Sequence, residues 1–240
     1  MNKKTTSRYF LIITAAGIGR RMQQVTPKQY LTVRGKTIIE YTLETLLNYP
    51  LFTKCIVLLN KADQYWHTLN LTHTNLITAE GGKERHHSVY NGLLALAPLA
   101  QPNDWIVVHD AVRPLLQISD LQHLITEIGD HSVGGLLGFP VKNTLKRVNA
   151  NQHSTETIDR ESLWQALTPQ LFRYHWLLKA LTISQQTNKK PLITDEASAI
   201  EKLGQMPKMI LGRSDNIKIT DWPDLALFDA YQRLQDGKNY

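Results

Sequence analysis

Residues 12 to 30 have the sequence IITAAGIGRRMQQVTPKQY, in which an apolar run is followed by small residues and then by cations. An apolar run that ends in Ala15 and Ala16 is typical of a buried strand that opens into a loop. Gly17 and Gly19 allow successive backbone N–H groups to turn toward an anion. The stretch therefore predicts a strand followed by a phosphate-binding loop.

Arg20, Arg21 and Lys28 lie in the same stretch as these glycines. Glycines followed by cations in one loop favour a polyphosphate ligand. A dinucleotide-binding fingerprint would need a third glycine where Met22 stands, and a Walker A loop would need Gly-Lys before a serine or threonine, so neither motif matches. The alternative is a surface turn with cations by chance, which is disfavoured because holding cations together costs solvation and conformational entropy.

The composition is that of a globular protein. The chain has 240 residues, of which 42% are hydrophobic and 20% charged, and these values predict a single α/β domain over residues 1 to 240. No run of about 18 apolar residues is long enough for a membrane span, and residues 1 to 8 are a short polar lead without a signal-peptide core. We therefore expect a cytoplasmic protein without a membrane partner. The single cysteine, Cys55, cannot form an internal disulfide, and we expect it to be buried in a strand rather than reactive.

The formal net charge is +6 and the isoelectric point is about 9.3. The cations are scattered along the chain, and no basic run or aromatic-basic repeat indicates a nucleic-acid partner. Cations that cluster in a pocket raise the local concentration of a small anion. The charge therefore favours a small anionic substrate over a nucleic acid.

Strand-like and helix-like segments alternate in the first half of the chain. Residues 54 to 59 and 105 to 108 are continuous apolar runs, typical of strands buried on both faces, and residues 76 to 79 form a shorter one. Thr37, with Glu40 three positions later, predicts the start of a helix. The alternation predicts a Rossmann-like α/β fold, a mostly parallel sheet between helices, in which ligands bind at the carboxyl ends of the strands.

The rest of the chain adds helices, late strands and an arm. We predict helices at residues 61 to 68, 177 to 183, 195 to 203 (capped by Thr194) and 222 to 234, and late strands at residues 209 to 211 and 217 to 219. Residues 141 to 158 predict a β-hairpin, within a protruding β-arm at about residues 139 to 163. The open edges of such an arm need a cover, and a second subunit would supply it, which predicts a homodimer.

Asp110 and Arg113 directly follow the strand at residues 105 to 108. Magnesium takes hard oxygen ligands, usually one or two carboxylates together with substrate phosphates, so Asp110 is the candidate metal ligand. The alternative is that Asp110 caps a helix. His109 is expected to pack or to form a hydrogen bond rather than to act as a general base, and the neighbouring pair His86 and His87 has no further ligand at the spacing of a zinc site.

Residues 15 to 31, and the run PKQYL within them, resemble the signature loop of nucleotidyltransferases that join a nucleoside triphosphate to a phosphorylated small molecule. Within these enzymes, the PKQYL run most specifically resembles the 2-C-methyl-D-erythritol 4-phosphate cytidylyltransferase family, whose reaction is a step in a route to isoprenoids. Five later segments are similar to the same family: VHDAVRP from residue 108, VKNTLK from residue 141, DR followed by LWQALTPQ between residues 159 and 170, ITDEA from residue 193 and DNIK from residue 215. The resemblance covers about residues 9 to 231.

The resemblance implies a nucleotidyltransferase fold and a reaction between CTP and a polyol phosphate, with Mg²⁺ or another divalent cation held by Asp110. It implies that catalysis involves Arg21, Lys28, Arg160 and Lys218. It implies that the nucleotide is bound by Ala15, Ala16, Gly17, Gly19, Lys28, Gly82, Lys83, Arg85, Ser88 and Asp110. The acceptor would be bound by Asp110, Arg113, Thr144, Arg160, Thr194 and Lys218.

Three positions depart from the family pattern. Thr14 stands where the family usually has proline, Lys83 where it commonly has aspartate, and Val112 where it has alanine. Residues 81 to 88 resemble the loop that recognises the base, so Lys83 bears on the choice of nucleotide. The alternatives are a cytidylyltransferase for another polyol phosphate, such as ribitol 5-phosphate, and a non-catalytic nucleotide-binding module.

Overall fold

A computed structural model of the chain describes residues 7–17, 26–69, 71–186 and 193–236. Its strands are β1 (Tyr9–Thr14), β2 (Thr32–Val33), β3 (Lys36–Thr37), β4 (Phe52–Leu59), β5 (Leu76–Glu80), β6 (Trp105–Asp110), β7 (Gly134–Pro140), β8 (Leu145–Val148), β9 (Ser154–Ile158), β10 (Trp164–Arg173) and β11 (Lys208–Leu211). Its helices are α1 (Ile38–Leu47), α2 (Arg85–Leu96), α3 (Ile118–Ile128), α4 (Tyr174–Gln186), α5 (Glu196–Glu201) and α6 (Trp222–Asp236).

Seven strands form the central sheet in the order β11-β7-β10-β6-β1-β4-β5. The pairs of β1 with β4, β1 with β6, β4 with β5 and β7 with β11 are parallel. Strand β10 is antiparallel to both of its neighbours, β6 and β7. The predicted α/β fold with a mostly parallel sheet is therefore confirmed.

The central strand β1 is buried on both faces because helices cover the sheet on both sides. Leu11 and Ile13 pack in one apolar cluster with residues of α1 and α3, whereas Phe10 and Ile12 pack in another with residues of α2 and α4. Successive side chains of a strand point to opposite faces, so one continuous apolar run serves both clusters. Cys55 of β4 is fully buried in the first cluster, and burial raises the pKa of its thiol. Its predicted burial is confirmed.

The start of α1 agrees with the sequence. Thr37 accepts a hydrogen bond from the backbone N–H of Glu40, and the Glu40 carboxylate accepts one from the backbone N–H of Thr37. This capping box satisfies backbone donors that have no partner within the helix.

The predicted helix at residues 61 to 68 is wrong, because this described stretch contains only a short 3₁₀ turn, Trp66–Thr68. The Asp63 carboxylate accepts hydrogen bonds from the backbone N–H groups of Tyr65 and Trp66 and from the Tyr30 hydroxyl. An aspartate that bonds to backbone two and three residues later stabilises a turn at the expense of a helix.

Two predictions for the last 50 residues of the chain are also wrong, one for the cap of α5 and one for a strand. Asp195, not Thr194, caps α5, since its carboxylate accepts from the Ser198 backbone N–H at 2.9 Å. Residues 217 to 219 form no strand in the described structure. They run as a loop held by long-range contacts, including a hydrogen bond from the Ile219 backbone N–H to the Val112 carbonyl.

Strands β8 and β9 form a separate two-stranded antiparallel sheet, in which Leu145 pairs with Ile158. The predicted hairpin is confirmed, and most of its residues are exposed. Strand β7, at the base of the arm, approaches its neighbours closely: a Cβ on Gly135 would lie 2.1 Å from the Lys208 carbonyl oxygen of β11. Among the helices described, none combines the length and the apolar character that crossing a membrane requires.

Candidate active site

A cleft opens at the carboxyl ends of the parallel strands. Thr14 at the end of β1 lies opposite Asp110 at the end of β6, in the register of the sheet. The predicted nucleotide-binding residues that line this cleft are Ala15, Ala16, Gly17, Lys28, Gly82, Lys83, Arg85, Ser88 and Asp110. Gly19, Arg20 and Arg21 lie outside the described residues.

The first loop is held to the sheet by hydrogen bonds from both sides. The backbone N–H of Ala15 donates to the Leu58 carbonyl at 3.0 Å, and the buried side-chain amide of Gln29 donates to the Ala15 carbonyl at 2.7 Å. The Lys28 ammonium donates to the Ile219 carbonyl at 3.0 Å, which holds its charge beside the cleft. Gln29 was not predicted as a site residue, although it belongs to the PKQYL run.

The second glycine-rich turn packs directly against the first loop. A Cβ on Gly81 would lie 2.4 Å from the Cβ of Ala16, so this approach requires a glycine. The Ser88 hydroxyl accepts a hydrogen bond from the Gly82 backbone N–H at 2.9 Å. The two turns therefore form one wall of the cleft.

The Asp110 carboxylate is 4% exposed and is surrounded by donors. Its Oδ1 atom accepts from the Thr14 hydroxyl at 3.1 Å and from Arg85 Nε at 3.1 Å. Its Oδ2 atom contacts Lys218 Nζ at 2.9 Å and Arg113 Nε at 3.4 Å. Burial opposes the ionised carboxylate, but Arg85, Lys218 and Arg113 together hold the pKa of Asp110 well below its usual value.

Arg85 connects Asp110 to a second buried carboxylate. Its Nη1 atom donates to Glu196 Oε1 at 2.6 Å, and Glu196 is 1% exposed. Burial opposes the charge on Arg85, but Glu196 and Asp110 hold its pKa above the usual value. Burial raises the pKa of Glu196, and Arg85 opposes that rise. Glu196 was not predicted as a site residue, although it stands in the ITDEA segment.

The predicted acceptor-binding residues divide into two groups. A second cavity next to the cleft is lined by Arg113, Thr194 and Lys218, and Asp110 lines both. Arg113 is fixed by a hydrogen bond from its Nη1 atom to the Asn216 carbonyl at 2.7 Å.

Thr144 and Arg160 lie on the arm and line neither cavity of the described chain. Both side chains are exposed, and the Arg160 guanidinium donates to the Lys142 carbonyl within the arm. One chain therefore assembles the core part of the predicted site and leaves its two arm residues elsewhere.

His109 is buried and its ring contacts protein on both sides. Nδ1 lies 2.9 Å from the Thr168 hydroxyl, and Nε2 lies 3.2 Å from the Arg113 carbonyl oxygen. Burial lowers the pKa of His109 to about 4, so the ring is neutral at pH 7. These contacts confirm that His109 packs and forms hydrogen bonds.

The donor set around Asp110 fits a hard divalent cation. The Asp110 carboxylate and the Thr14 hydroxyl line the cleft and offer oxygen ligands, and Lys218, the most exposed of the three cations that contact Asp110, is 37% exposed. Glu84, His86 and His87 also offer ligand atoms within 4.8 Å of one another. They stand at the positive end of α2, which opposes a cation there.

The Asp110 cleft suits a reaction in which a polyphosphate and a second anion are held side by side, and this places the protein among the nucleotidyltransferases. The model of the family IspD, 2-C-methyl-D-erythritol 4-phosphate cytidylyltransferase, matches residues 9–234. The chain belongs to this family.

Individual relatives agree with the family model. The 2-C-methyl-D-erythritol 4-phosphate cytidylyltransferase of Pseudomonas syringae pv. syringae is 48% identical over 219 residues, covering 90% of this chain and 92% of the relative. That of Vibrio vulnificus strain YJ016 is 44% identical over 229 residues, covering 95% and 96%. The crystal structure of the Francisella tularensis protein of the same name has a TM-score of 0.82 at 35% identity, covering 94% of this chain and all of the other.

The charges around Asp110 predict how stability depends on pH. Because the folded-state pKa lies below the usual 3.8, the ionised carboxylate contributes stability above that value, and the contribution is lost as pH falls through the folded pKa. Asp110→Asn should therefore lower the free energy of unfolding at pH 7 by roughly 3 to 5 kcal/mol. Urea unfolding at several pH values should show the deficit shrinking below pH 3.8.

Asp130→Asn is the matched control, because Asp130 is an exposed carboxylate outside the cleft. It should leave the free energy of unfolding nearly unchanged at every pH. A deficit for Asp110→Asn that stays constant down to low pH would contradict the assignment of its stability to the surrounding cations.

Proposed function

We infer that the protein is a cytidylyltransferase that transfers CMP from CTP to 2-C-methyl-D-erythritol 4-phosphate, as the relatives' names describe. The products are 4-diphosphocytidyl-2-C-methyl-D-erythritol and pyrophosphate, in the non-mevalonate synthesis of isoprenoid precursors. The observation that carries this inference is the Asp110 cluster, which stands between the nucleotide cleft and the acceptor cavity of a chain of this family. The substrates are charged metabolites, and we place the enzyme in the cytoplasm.

The chemical step needs no general base. A phosphate monoester is already largely dianionic at neutral pH, so an acceptor phosphate oxygen can attack the α-phosphorus of CTP directly. The new P–O bond forms as the bond from the α-phosphorus to the bridging oxygen breaks, and pyrophosphate leaves with the electron pair. His109 is buried and engaged at both ring nitrogens, consistent with a step that requires no base.

Repulsion between anions is the main barrier, so fixed cations supply most of the rate. We assign the triphosphate to the backbone of residues 15 to 17 and to Lys28, together with Gly19 and Arg21. We assign the cytosine to Gly82, Lys83, Arg85 and Ser88. Lys83 stands where the family commonly has aspartate, so a comparison of CTP with other nucleotides bears directly on this position.

The acceptor phosphate is assigned to Arg113, Thr194 and Lys218, which line the neighbouring cavity. Arg113 is oriented by the Asn216 carbonyl and by Asp110, which keeps its guanidinium at one place before the substrate arrives. Preorganised cations of this kind stabilise the charge on the attacking and leaving oxygens without a cost of reorganisation during the reaction.

Pyrophosphate release measured for every pairing of CTP, UTP and ATP with 2-C-methyl-D-erythritol 4-phosphate and ribitol 5-phosphate tests the function. We expect rapid release only with CTP and the methylerythritol phosphate, because these are the substrates for which the family is named. Faster turnover with ribitol 5-phosphate would identify that compound as the acceptor. If no combination of nucleotide and acceptor released pyrophosphate, the protein would be a non-catalytic nucleotide-binding module.

We propose that Asp110 holds Mg²⁺, or another divalent cation, during the reaction. The ion would neutralise part of the charge on the phosphates of CTP. Asp110 is suited to this because its carboxylate lies at the end of β6 and faces the nucleotide cleft.

Asp110→Asn should lower kcat by about 10² or more even with excess magnesium, since an amide cannot replace the carboxylate charge. Magnesium should also no longer raise the melting temperature of this variant in the presence of CTP. Wild-type kcat, or a magnesium-dependent shift equal to that of the wild type, would remove Asp110 from the metal site.

We propose that the arm completes the active site of a partner subunit in a homodimer. A two-stranded ribbon is at best marginally stable in water by itself, and the arm's strands β8 and β9 pair only with each other among the described strands. Its residues Thr144 and Arg160 match the family's acceptor site but line neither cavity of their own chain. A symmetric dimer would bring each arm to the other subunit's cleft.

Mixing Arg160→Ala with Lys28→Ala tests this arrangement. Each variant should be inactive alone, but in a heterodimer one of the two sites receives both intact residues. After random exchange of equal amounts, about a quarter of all sites should be active. No recovery despite verified exchange would place Arg160 in its own chain's site, and a monomer at assay concentration would remove the proposal.

A further inference from the structure

Glu196 is a buried carboxylate for which the proposed reaction has no direct use. It is the first residue of α5, and its Oε1 atom accepts from Arg85 Nη1 at 2.6 Å across 111 residues of sequence. Arg85 Nε donates at the same time to Asp110 Oδ1. One guanidinium is therefore shared by two buried carboxylates.

Stability alone explains this pair poorly. A buried ion pair repays its desolvation only when the geometry is excellent and the remaining donors and acceptors are satisfied. Here Arg85 Nη2 and Glu196 Oε2 are both buried, and neither has a hydrogen-bonding partner within the described part of the chain. The contact is a single N–O pair rather than the two parallel bonds that add both energy and geometric specificity, so it stabilises the fold weakly. The direction of Arg85 is fixed only together with its second bond, from Nε to Asp110 Oδ1.

The position of Glu196 is itself rigidly held. The Gln170 side chain donates to Asp195 Oδ2 at 2.8 Å and accepts from the Ala197 backbone N–H at 2.9 Å, so it grips the residues on both sides of Glu196. Asp195 also caps α5. The carboxylate is thus anchored to β10 before it contacts Arg85.

Glu196 and Asp110 hold Arg85 at two different nitrogen atoms. Nη1 donates to Glu196 Oε1 while Nε donates to Asp110 Oδ1, so the guanidinium is fixed between two buried carboxylates. Asp110 Oδ1 keeps its second contact with Thr14. Arg85 also lines both the nucleotide cleft and the acceptor cavity, so its direction affects both halves of the site.

We propose that Glu196 is a positioning residue, which acts through Arg85 by holding the guanidinium between the nucleotide cleft and the acceptor cavity. This proposal rests on the proposed function. It assigns no contact between Glu196 and either substrate, and it makes the effect of Glu196 depend on the presence of Arg85.

Glu196→Gln keeps the shape of the side chain and removes its charge. We expect the affinity for CTP, measured by calorimetry on the folded protein, and kcat/KM each to fall about 10- to 100-fold, the usual effect of losing a group that orients a ligand-binding residue. Glu201→Gln, an exposed position on the same helix, is the matched control and should change both by less than about twofold. A purely structural role would lower the melting temperature and leave CTP affinity unchanged.

A double-mutant cycle tests whether the effect passes through Arg85. In an Arg85→Ala background, Glu196→Gln should change kcat/KM and CTP affinity by less than about threefold, because the residue to be positioned is gone. Effects that multiply independently would overturn the proposal, as would wild-type CTP affinity in folded Glu196→Gln.

Two further measurements keep the result decisive. If Glu196→Gln does not fold at the assay temperature, Glu196→Asp retains the charge but is too short to reach Arg85, and it should show the same loss of CTP affinity. CTP calorimetry also needs no turnover. If the wild-type protein binds CTP but releases no pyrophosphate, the proposed reaction is refuted. The CTP affinities of the wild type and Glu196→Gln would still decide whether Glu196 positions Arg85.

Discussion

The carboxylate of Asp110 is the contact on which the site depends, because it joins four parts of the chain that are far apart in sequence. The carboxylate is contacted from different elements or loops by Thr14, Arg85, Arg113 and Lys218. Parallel strands make this possible, since their carboxyl ends meet at one edge and deliver loops to the same place. The Asp110 backbone N–H adds a bond to the Thr168 hydroxyl of β10, so the antiparallel strand is tied in as well.

The same carboxylate also keeps cations together that would otherwise repel one another. Three cationic side chains contact the same carboxylate, so the site is ordered before any substrate binds. A phosphate oxygen entering the cleft therefore replaces one partner of a cation already in place, and less side-chain entropy is lost on binding than with mobile lysines and arginines. The arrangement of Asp110 and its three cations therefore has two effects. It orders the site in the free protein, and it stabilises the charge of the transition state.

Features set by local sequence could be predicted. The continuous apolar runs located β1, β4 and β6, and the Thr37 and Glu40 pair located the start of α1, because periodicity and capping act over a few residues. The motif positions likewise predicted that Asp110, Arg113 and Lys218 would share one site.

Features set by long-range contacts could not be predicted. The loop at residues 217 to 219 is fixed by Val112 and Lys28, and the ten-residue strand β10 is fixed by its antiparallel neighbours, so neither has a decisive local pattern. Glu196 is paired with a residue 111 positions away, which no spacing rule reveals. For Asp63, the tendency of its own side chain to form a turn outweighed the polar, helix-like character of its neighbours.

The burial of Cys55 makes the chain convenient for spectroscopy. A single thiol, enclosed in the core and held protonated, gives no background reaction with maleimide or methanethiosulfonate reagents while the protein is folded. One cysteine introduced at an exposed arm position such as Thr155 would therefore carry the sole fluorophore or spin label. In the proposed dimer, distances between two such labels would report where the arms lie in solution, without first removing a native thiol.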